Sequence, residues 1–150
     1  VSDEESEQKP WQRWITRLTG RPGKTGVVNR GKPEIEIPAG APPSELAIVE
    51  IWDGDGPQAE RGDFVEVHYV GVTFSTGTEF DSSWERGRPF AFTLGAGQVI
   101  EGWDVGVRGM RVGGRRQLII PPRLAYGDRG AAGTIRPGET LVFVIDLIAV

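Results

Sequence analysis

The chain has 150 residues, 38% hydrophobic and 25% charged, with 22 Gly, 11 Pro, a single His and no Cys. This size fits one globular core with at most a tail, and the missing Cys excludes disulfides, thiol nucleophiles and Cys-based zinc sites. A formal net charge of -4 opposes general affinity for nucleic-acid phosphates, which takes a basic surface. No apolar run approaches the roughly 18 residues of a membrane span and no leader is visible, so a cytoplasmic monomer without nucleic-acid or membrane-span partners is expected.

Residues 1–33 open with Asp3, Glu4, Glu5 and Glu7 and continue with Arg13, Arg17, Arg21, Lys24, Arg30 and Lys32 among few aliphatics. Such a stretch buries too little apolar surface to offset its ordering entropy, so a disordered or weakly helical tail is expected before a domain over 34–150. Its one patterned segment is Pro10–Leu18, where Trp11, Trp14, Ile15 and Leu18 share one face of a short helix. Gly23-Lys24-Thr25 looks like the end of a phosphate-binding loop, but Leu18 stands where that loop needs its first Gly.

From Glu34 the texture becomes strand and turn. Glu34-Ile35-Glu36-Ile37 alternates, Pro38–Pro43 is a stiff connector, and Leu46–Trp52 predicts a strand closed by turn residues Asp53-Gly54-Asp55-Gly56-Pro57. A calcium loop over the same residues would need ligands where Pro57 and Phe64 stand. Asp63–Gly71 places Val65, Val67 and Tyr69 on one face and Phe64, Glu66, His68 and Val70 on the other, the pattern of a half-buried strand. Phe90–Leu94, Arg116–Ile120 and Thr140–Ala149 predict three further strands, the last with Leu141, Phe143, Ile145 and Leu147 on one face. Val99–Val107 is the only helix expected within the domain. Gly95-Ala96-Gly97 begins a dinucleotide fingerprint, but Ile100 holds the place of its third Gly and a turn is expected. These elements predict an α+β fold, mostly antiparallel β, with one short helix against the sheet.

Tyr69, Phe80, Phe90, Trp103, Tyr126 and Phe143 lie at strand ends and in loops around that helix. Six rings exceed what core filling asks for and point to an apolar pocket with a few polar handles. Val67-His68-Tyr69-Val70-Gly71, Gly77-Thr78-Glu79-Phe80-Asp81-Ser82-Ser83, Pro89-Phe90-Ala91-Phe92, Val99-Ile100-Glu101-Gly102-Trp103, Gly109-Met110-Arg111-Val112-Gly113-Gly114, Leu124-Ala125-Tyr126-Gly127 and Leu141-Val142-Phe143 follow one another in the chain. In these ordered blocks the chain resembles the FKBP-type peptidyl-prolyl isomerases, from about Leu46 to Val150.

The resemblance implies a strongly bent, five- to six-stranded sheet wrapped around one short helix, with the site between helix and sheet. It implies cis/trans isomerisation of the bond before proline, no cofactor and no metal, with Pro-containing polypeptides and macrolide immunosuppressants as partners of one pocket. By the same resemblance Asp81, Tyr126, Phe80, Phe143 and Trp103 carry catalysis, while Tyr69, Phe90, Gln98, Val99, Ile100 and Arg86 bind substrate. Trp103 would be the floor, Tyr126 and the Ile100 backbone amide the donors to substrate carbonyls, and Gln98 would offer its backbone carbonyl. Asp81 reads either as a pocket carboxylate held by Arg86 or as a turn residue paired with it. His68 points opposite Tyr69 and is expected outside the pocket. The chain departs from the family in the loop after Tyr126, where Ala131 and Thr134 replace larger side chains and the loop is too short for an inserted chaperone domain. A non-catalytic module that captures Pro-containing peptides in the same pocket is the alternative.

Overall fold

The computed structural model describes residues 31–35, 37 and 39–150, so the Pro10–Leu18 pattern and the rest of the expected tail before Gly31 lie outside the described residues. The elements in chain order are β1 (Ala47–Trp52), β2 (Phe64–Thr73), β3 (Glu79–Ser82), α1 (Ser83–Arg86), β4 (Phe90–Thr93), α2 (Glu101–Gly106), β5 (Arg115–Ile120), a 3-10 turn at Pro122–Leu124, and β6 (Leu141–Ala149). They form one six-stranded antiparallel sheet in the order β1-β5-β6-β2-β3, with β4 also paired to β2.

Strand β2 explains why the sheet opens a cleft. Along one edge it pairs with β6 for almost its whole length. Along the other edge it pairs first with β4, from Phe64 to Val67, and then with β3, from Val70 to Val72. Tyr69 falls where the two partners part. Register shifts at Glu66/Val67 and Gly71/Val72 lie on either side of it, and such irregularities add bend and twist. The sheet therefore curls around α2 rather than lying flat.

Both faces of the central strands are covered. The concave face buries Val65, Val67, Tyr69, Leu118, Ile120, Leu141, Phe143, Ile145 and Leu147 with Trp103 of α2. The outer face buries Ile51, Val70, Val72, Ile119, Val142 and Val144. Two-sided burial is why β6 reads as an almost unbroken apolar run. It also corrects the half-buried reading of β2, whose residues Val70–Thr73 are all buried. At the end of the outer face Asp146 receives two hydrogen bonds from Arg115, at 2.7 and 2.9 Å, and the Arg115 guanidinium lies 4.4 Å from the centre of the Trp52 ring.

Helix α2 is short and contains two glycines, a poor autonomous helix, and packing against the sheet sustains it. A Cβ on Gly102 would stand 2.5 Å from Ile120 Cγ2, and one on Gly106 would stand 2.7 Å from Leu118 Cδ1. The missing side chains let α2 sit directly on β5, which lowers Trp103 into the concave face.

Three expectations need correction. Glu34, Ile35 and Ile37 are irregular rather than part of a strand, because Ile35 and Ile37 pack onto the outer cluster without joining the sheet edge. Asp53–Pro57 makes no turn of its own. Gly54 is needed because a Cβ there would meet Val112 O at 2.3 Å, and Gly56 N–H donates to Val112 O at 3.0 Å, so two backbones cross at contact distance. Val99–Val107 is not the only helix. Its core is Glu101–Gly106, and a single turn, α1, follows β3. The Ser82 side chain accepts from Trp84 N–H at the start of α1, and Gly87 closes it at φ 74°, caps that stabilise a turn too short to show a period. None of the helices among the described residues is long and apolar enough to cross a membrane.

Candidate active site

The cleft between β3, β4 and α2 holds a cavity of about 240 Å³. Its floor is Trp103, only 4% exposed, whose ring meets Tyr69, Phe90 and Phe143 edge-on at centroid distances of 4.8, 6.1 and 5.2 Å. Phe92 packs behind Phe90 at 5.7 Å. Phe80 meets Phe143 edge-to-face at 5.5 Å. Edge contacts of this kind leave ring faces available to a ligand while fixing each ring against its neighbours. Val99 and Ile100 complete the lining at the entry to α2, with Gln98 beside them.

The polar groups are few and their bonding is divided. Tyr69 O–H donates to Asp81 Oδ2 at 2.5 Å and accepts from Arg86 Nη2 at 2.8 Å. Asp81 Oδ1 accepts from Arg86 Nη1 at 2.7 Å and from Ser82 N–H at 2.9 Å. Burial pushes the Asp81 carboxyl up, but the hydrogen bonds from Tyr69 and Arg86 and the guanidinium charge outweigh it and hold the group below the usual carboxylate range. Burial and the bond to Asp81 push the Tyr69 phenol up to about 12. The cluster is thus a carboxylate, a neutral phenol and a guanidinium at neutral pH.

Tyr126 differs from Tyr69. It lies at the rim, 41% exposed, and its hydroxyl has no hydrogen-bond partner among the described residues. Partial burial, with the Asp81 charge, raises its pKa, so the phenol keeps its proton. The Ile100 carbonyl accepts from Trp103 and Asp104 N–H groups as α2 begins, while Ile100 N–H has no partner among the described residues. Both residues line the cavity, and neither donor has an acceptor among the described residues. The Gln98 side chain does not compete for that space, because its Oε1 accepts from Thr93 N–H at 2.8 Å.

All the residues singled out from the sequence except Arg86 line this cavity. Arg86 stands behind Tyr69 and Asp81 and reaches the cavity through them. His68 lies on the opposite face of β2, stacked on Trp84 with ring centroids 4.3 Å apart. Ala131 and Ile135 bridge the loop after Tyr126, and Thr134 is exposed. A larger hollow of about 550 Å³ lies between Ile37, Gly40 and Pro42 and the loops at Phe74–Thr76 and Gly138–Thr140, but no set of rings converges there.

Sequence reasoning missed three supporting residues. Ser83 is fully buried, and its Oγ accepts Tyr69 N–H at 2.7 Å and lies 2.8 Å from His68 Nδ1. Asp104 accepts from Gly95 and Gly97 N–H groups at 2.8 and 3.0 Å, tying the loop before α2 to the helix. Gly71 lies beneath Phe80 and Phe143. A small residue within a strand signals close approach, but nothing local says by what.

A bent antiparallel sheet that clasps a short helix around an aromatic cleft, with an ion-paired carboxylate and unpartnered donors at its lip, defines a ligand-gripping class of α+β protein. The model of the FKBP-type peptidyl-prolyl cis-trans isomerase family matches residues 56–148. The chain is 68% identical over 120 residues to an FK506-binding protein of Streptomyces anulatus, covering 79% of this chain and 97% of that protein. It is 55% identical over 93 residues to peptidyl-prolyl cis-trans isomerase FPR2 of Saccharomyces cerevisiae, covering 62% of this chain and 69% of that protein. The crystal structure of AtFKBP13 superimposes with a TM-score of 0.66 at 44% identity, covering 72% of this chain and 94% of that one. The chain belongs to the FKBP-type peptidyl-prolyl cis-trans isomerases, and its activity is rotation about the bond before proline. Family membership decides for the enzyme over the non-catalytic binding module.

Proposed function

We propose that the cleft floored by Trp103 is where this isomerase acts, on proline-containing segments of unfolded or partly folded polypeptides, and that it thereby assists folding. The observation that carries this is the combination of an aromatic cavity of about 240 Å³ with two donors, Tyr126 O–H and Ile100 N–H, that have no acceptors of their own among the described residues. Resonance gives the peptide bond a rotation barrier of about 18–20 kcal/mol. The planar amide is charge-separated and favoured by water, whereas the twisted state has lost that resonance, so a cavity walled by rings disfavours the ground state more. Removing about 5–8 kcal/mol from the barrier accelerates rotation by about 10⁴–10⁶.

The proline ring lies on Trp103, with Tyr69, Phe80, Phe90, Val99 and Phe143 as walls. Tyr126 and the Ile100 amide hold the carbonyls on either side of the twisting bond. Asp81 acts through its field rather than as an acid or base. Both its oxygens are engaged by Tyr69, Arg86 and Ser82, and rotation needs no proton transfer. Arg86 positions Asp81, and Gln98 turns its side chain away so that only its backbone faces substrate. Small Ala131 and Thr134 at the loop grip flanking residues loosely. The same cleft accepts macrolide immunosuppressants, a reading supported by relatives named for binding FK506. The cytoplasm as compartment and the monomer as working form carry over from the sequence as expectations.

Exchange spectroscopy on a Pro-containing peptide tests the assignment. Wild type should speed cis/trans exchange, a macrolide should abolish the acceleration competitively, and Trp103→Ala should lose both. Acceleration that persists in folded Trp103→Ala, or in the presence of bound macrolide, would place the activity elsewhere.

A further inference from the structure

Strand β3 carries two pocket residues, Phe80 and Asp81, yet it is the least supported strand of the sheet. It has four residues, pairs with β2 at three positions and loses register at Gly71/Val72. It ends the sheet, so no strand among the described residues holds its outer side. A small outward swing would separate Phe80 from Phe143 and draw Asp81 away from Tyr69. Keeping β3 in place takes contacts from outside the sheet.

Gly31, Lys32, Ile35 and Ile37 make such contacts. The segment is anchored where Arg115 Nη2 donates to Gly31 O at 2.9 Å. The Lys32 ammonium then lies 2.9 Å from Glu79 and 2.6 Å from Glu85, the first residue of β3 and a residue of α1, so it bridges both ends of the unit that bears Phe80 and Asp81. Pro33 is buried. Ile35 and Ile37 pack on the outer cluster that includes Val70 and Val72 of β2. Ile37 also reaches the turn before β3, where a Cβ on Gly77 would stand 3.4 Å from its Cγ1. Lys32 and Ile37 between them thus touch the turn before β3, its first residue and the helical turn after it.

We propose that residues 31–35 together with Ile37 form a strap that is a working part of the isomerase, with Lys32 as a positioning residue that holds β3, and so Phe80 and Asp81, in the geometry of the cleft. The functional unit then begins ahead of residue 34. The proposal rests on the reading of Phe80 and Asp81 as site residues. An isolated exposed ion pair contributes little. Here one ammonium is shared by two carboxylates and followed by buried Pro33, so the clamp is a network, and its exposed partners make it sensitive to salt.

The test uses the full chain. Lys32→Met should lower kcat/KM for a prolyl tetrapeptide by about two- to five-fold, the scale of a modest surface network, and should speed hydrogen exchange at the β3 amides while β5 and β6 keep theirs. Lys32→Arg should restore both, and about 1 M salt should reduce the wild type towards the Lys32→Met rate. Phe80→Ala and Asp81→Asn in the same chain are the references. If neither reference lowers kcat/KM, the site reading fails and the strap proposal falls with it. If the references lower kcat/KM but Lys32→Met leaves either β3 exchange or kcat/KM at wild type, the strap alone is overturned. Exchange that speeds uniformly through the sheet also overturns it, because Lys32 would then serve only global stability.

Discussion

Replacing Gly71 by alanine places one methyl group at the point where two pocket rings come closest to β2. The new Cβ would lie 2.6 Å from Phe143 Cε1 and 2.8 Å from Phe80 Cζ. Carbon atoms rest about 3.5–4.0 Å apart, so the rings must retreat by roughly 0.7–0.9 Å or more if the strand stays still. Gly71 is not among the positive-φ glycines, so alanine meets no backbone strain and the effect is steric. Overpacking of this kind costs about 1–3 kcal/mol, which should lower Tm by several degrees without unfolding the chain. A displacement near 1 Å at the reacting geometry can cost about 10²-fold, so kcat/KM for prolyl exchange should fall by about 10- to 100-fold. Phe80 stands on the edge strand and yields more easily than Phe143, which is 4% exposed. Adding Phe80→Leu to Gly71→Ala should therefore recover stability before it recovers rate. Circular dichroism and thermal melts establish folding, and exchange spectroscopy on a Pro-containing peptide reads the rate. A folded Gly71→Ala chain with wild-type kcat/KM would refute the reasoning, since the two rings could then move without consequence for the reaction.

Asp81→Asn should free the Tyr69 hydroxyl and release Arg86, lowering kcat/KM by about ten-fold; the bonds involved are charge-assisted but partly solvent-screened, so the stability cost should be about 1 kcal/mol by thermal melt. The pH–rate profile should be flat from about pH 5 to 9. Because the folded-state pKa of Asp81 is lowered, its ion pairing contributes stability above the ordinary carboxylate pKa and loses it as pH falls through the lower folded value, so activity and stability should decline together in acid. The Tyr69 phenol, pushed up to about 12, and the raised Tyr126 keep their protons across the flat region. An inflection within that flat region would instead show that a proton transfer contributes to the reaction. His68→Ala should leave kcat/KM within about two-fold of wild type while costing roughly 1 kcal/mol, through loss of the stack on Trp84 and the Ser83 contact; a larger loss of rate at retained stability would show that the outer face of β2 takes part in the reaction.

Much of this molecule was legible locally. The alternation of Val65, Val67 and Tyr69 against Glu66 and His68 assigned both faces of β2, and the structure places Tyr69 in the cleft and His68 outside it. Leu141, Phe143, Ile145 and Leu147 marked the concave face of β6 and all four are buried there. Elements too short to display a period were not legible. Strand β3 and helix α1 have four residues each, and their boundaries come from pairing with β2 and from the Ser82 and Gly87 caps. The Gly54 and Gly56 pair looked like turn chemistry because Asp-Gly favours turns, whereas its cause is the Val112 backbone pressing against it.

From sequence alone, the ordered blocks gave a resemblance to the FKBP-type isomerases that implied a ring-lined cleft, while the lack of cysteine and the acidic balance excluded thiol chemistry and a general affinity for nucleic acid. Only the tertiary structure decided how the Asp81 oxygens are shared between Tyr69 and Arg86, that Gly71 underlies two rings, that Gly102 and Gly106 let Trp103 descend to the floor, and that Ile35 and Ile37 pack on the outer face. Each residue's own neighbours along the chain set which face of its element it occupies. What that face meets depends on elements distant in sequence, and their distances are settled only when the whole sheet curls and packs.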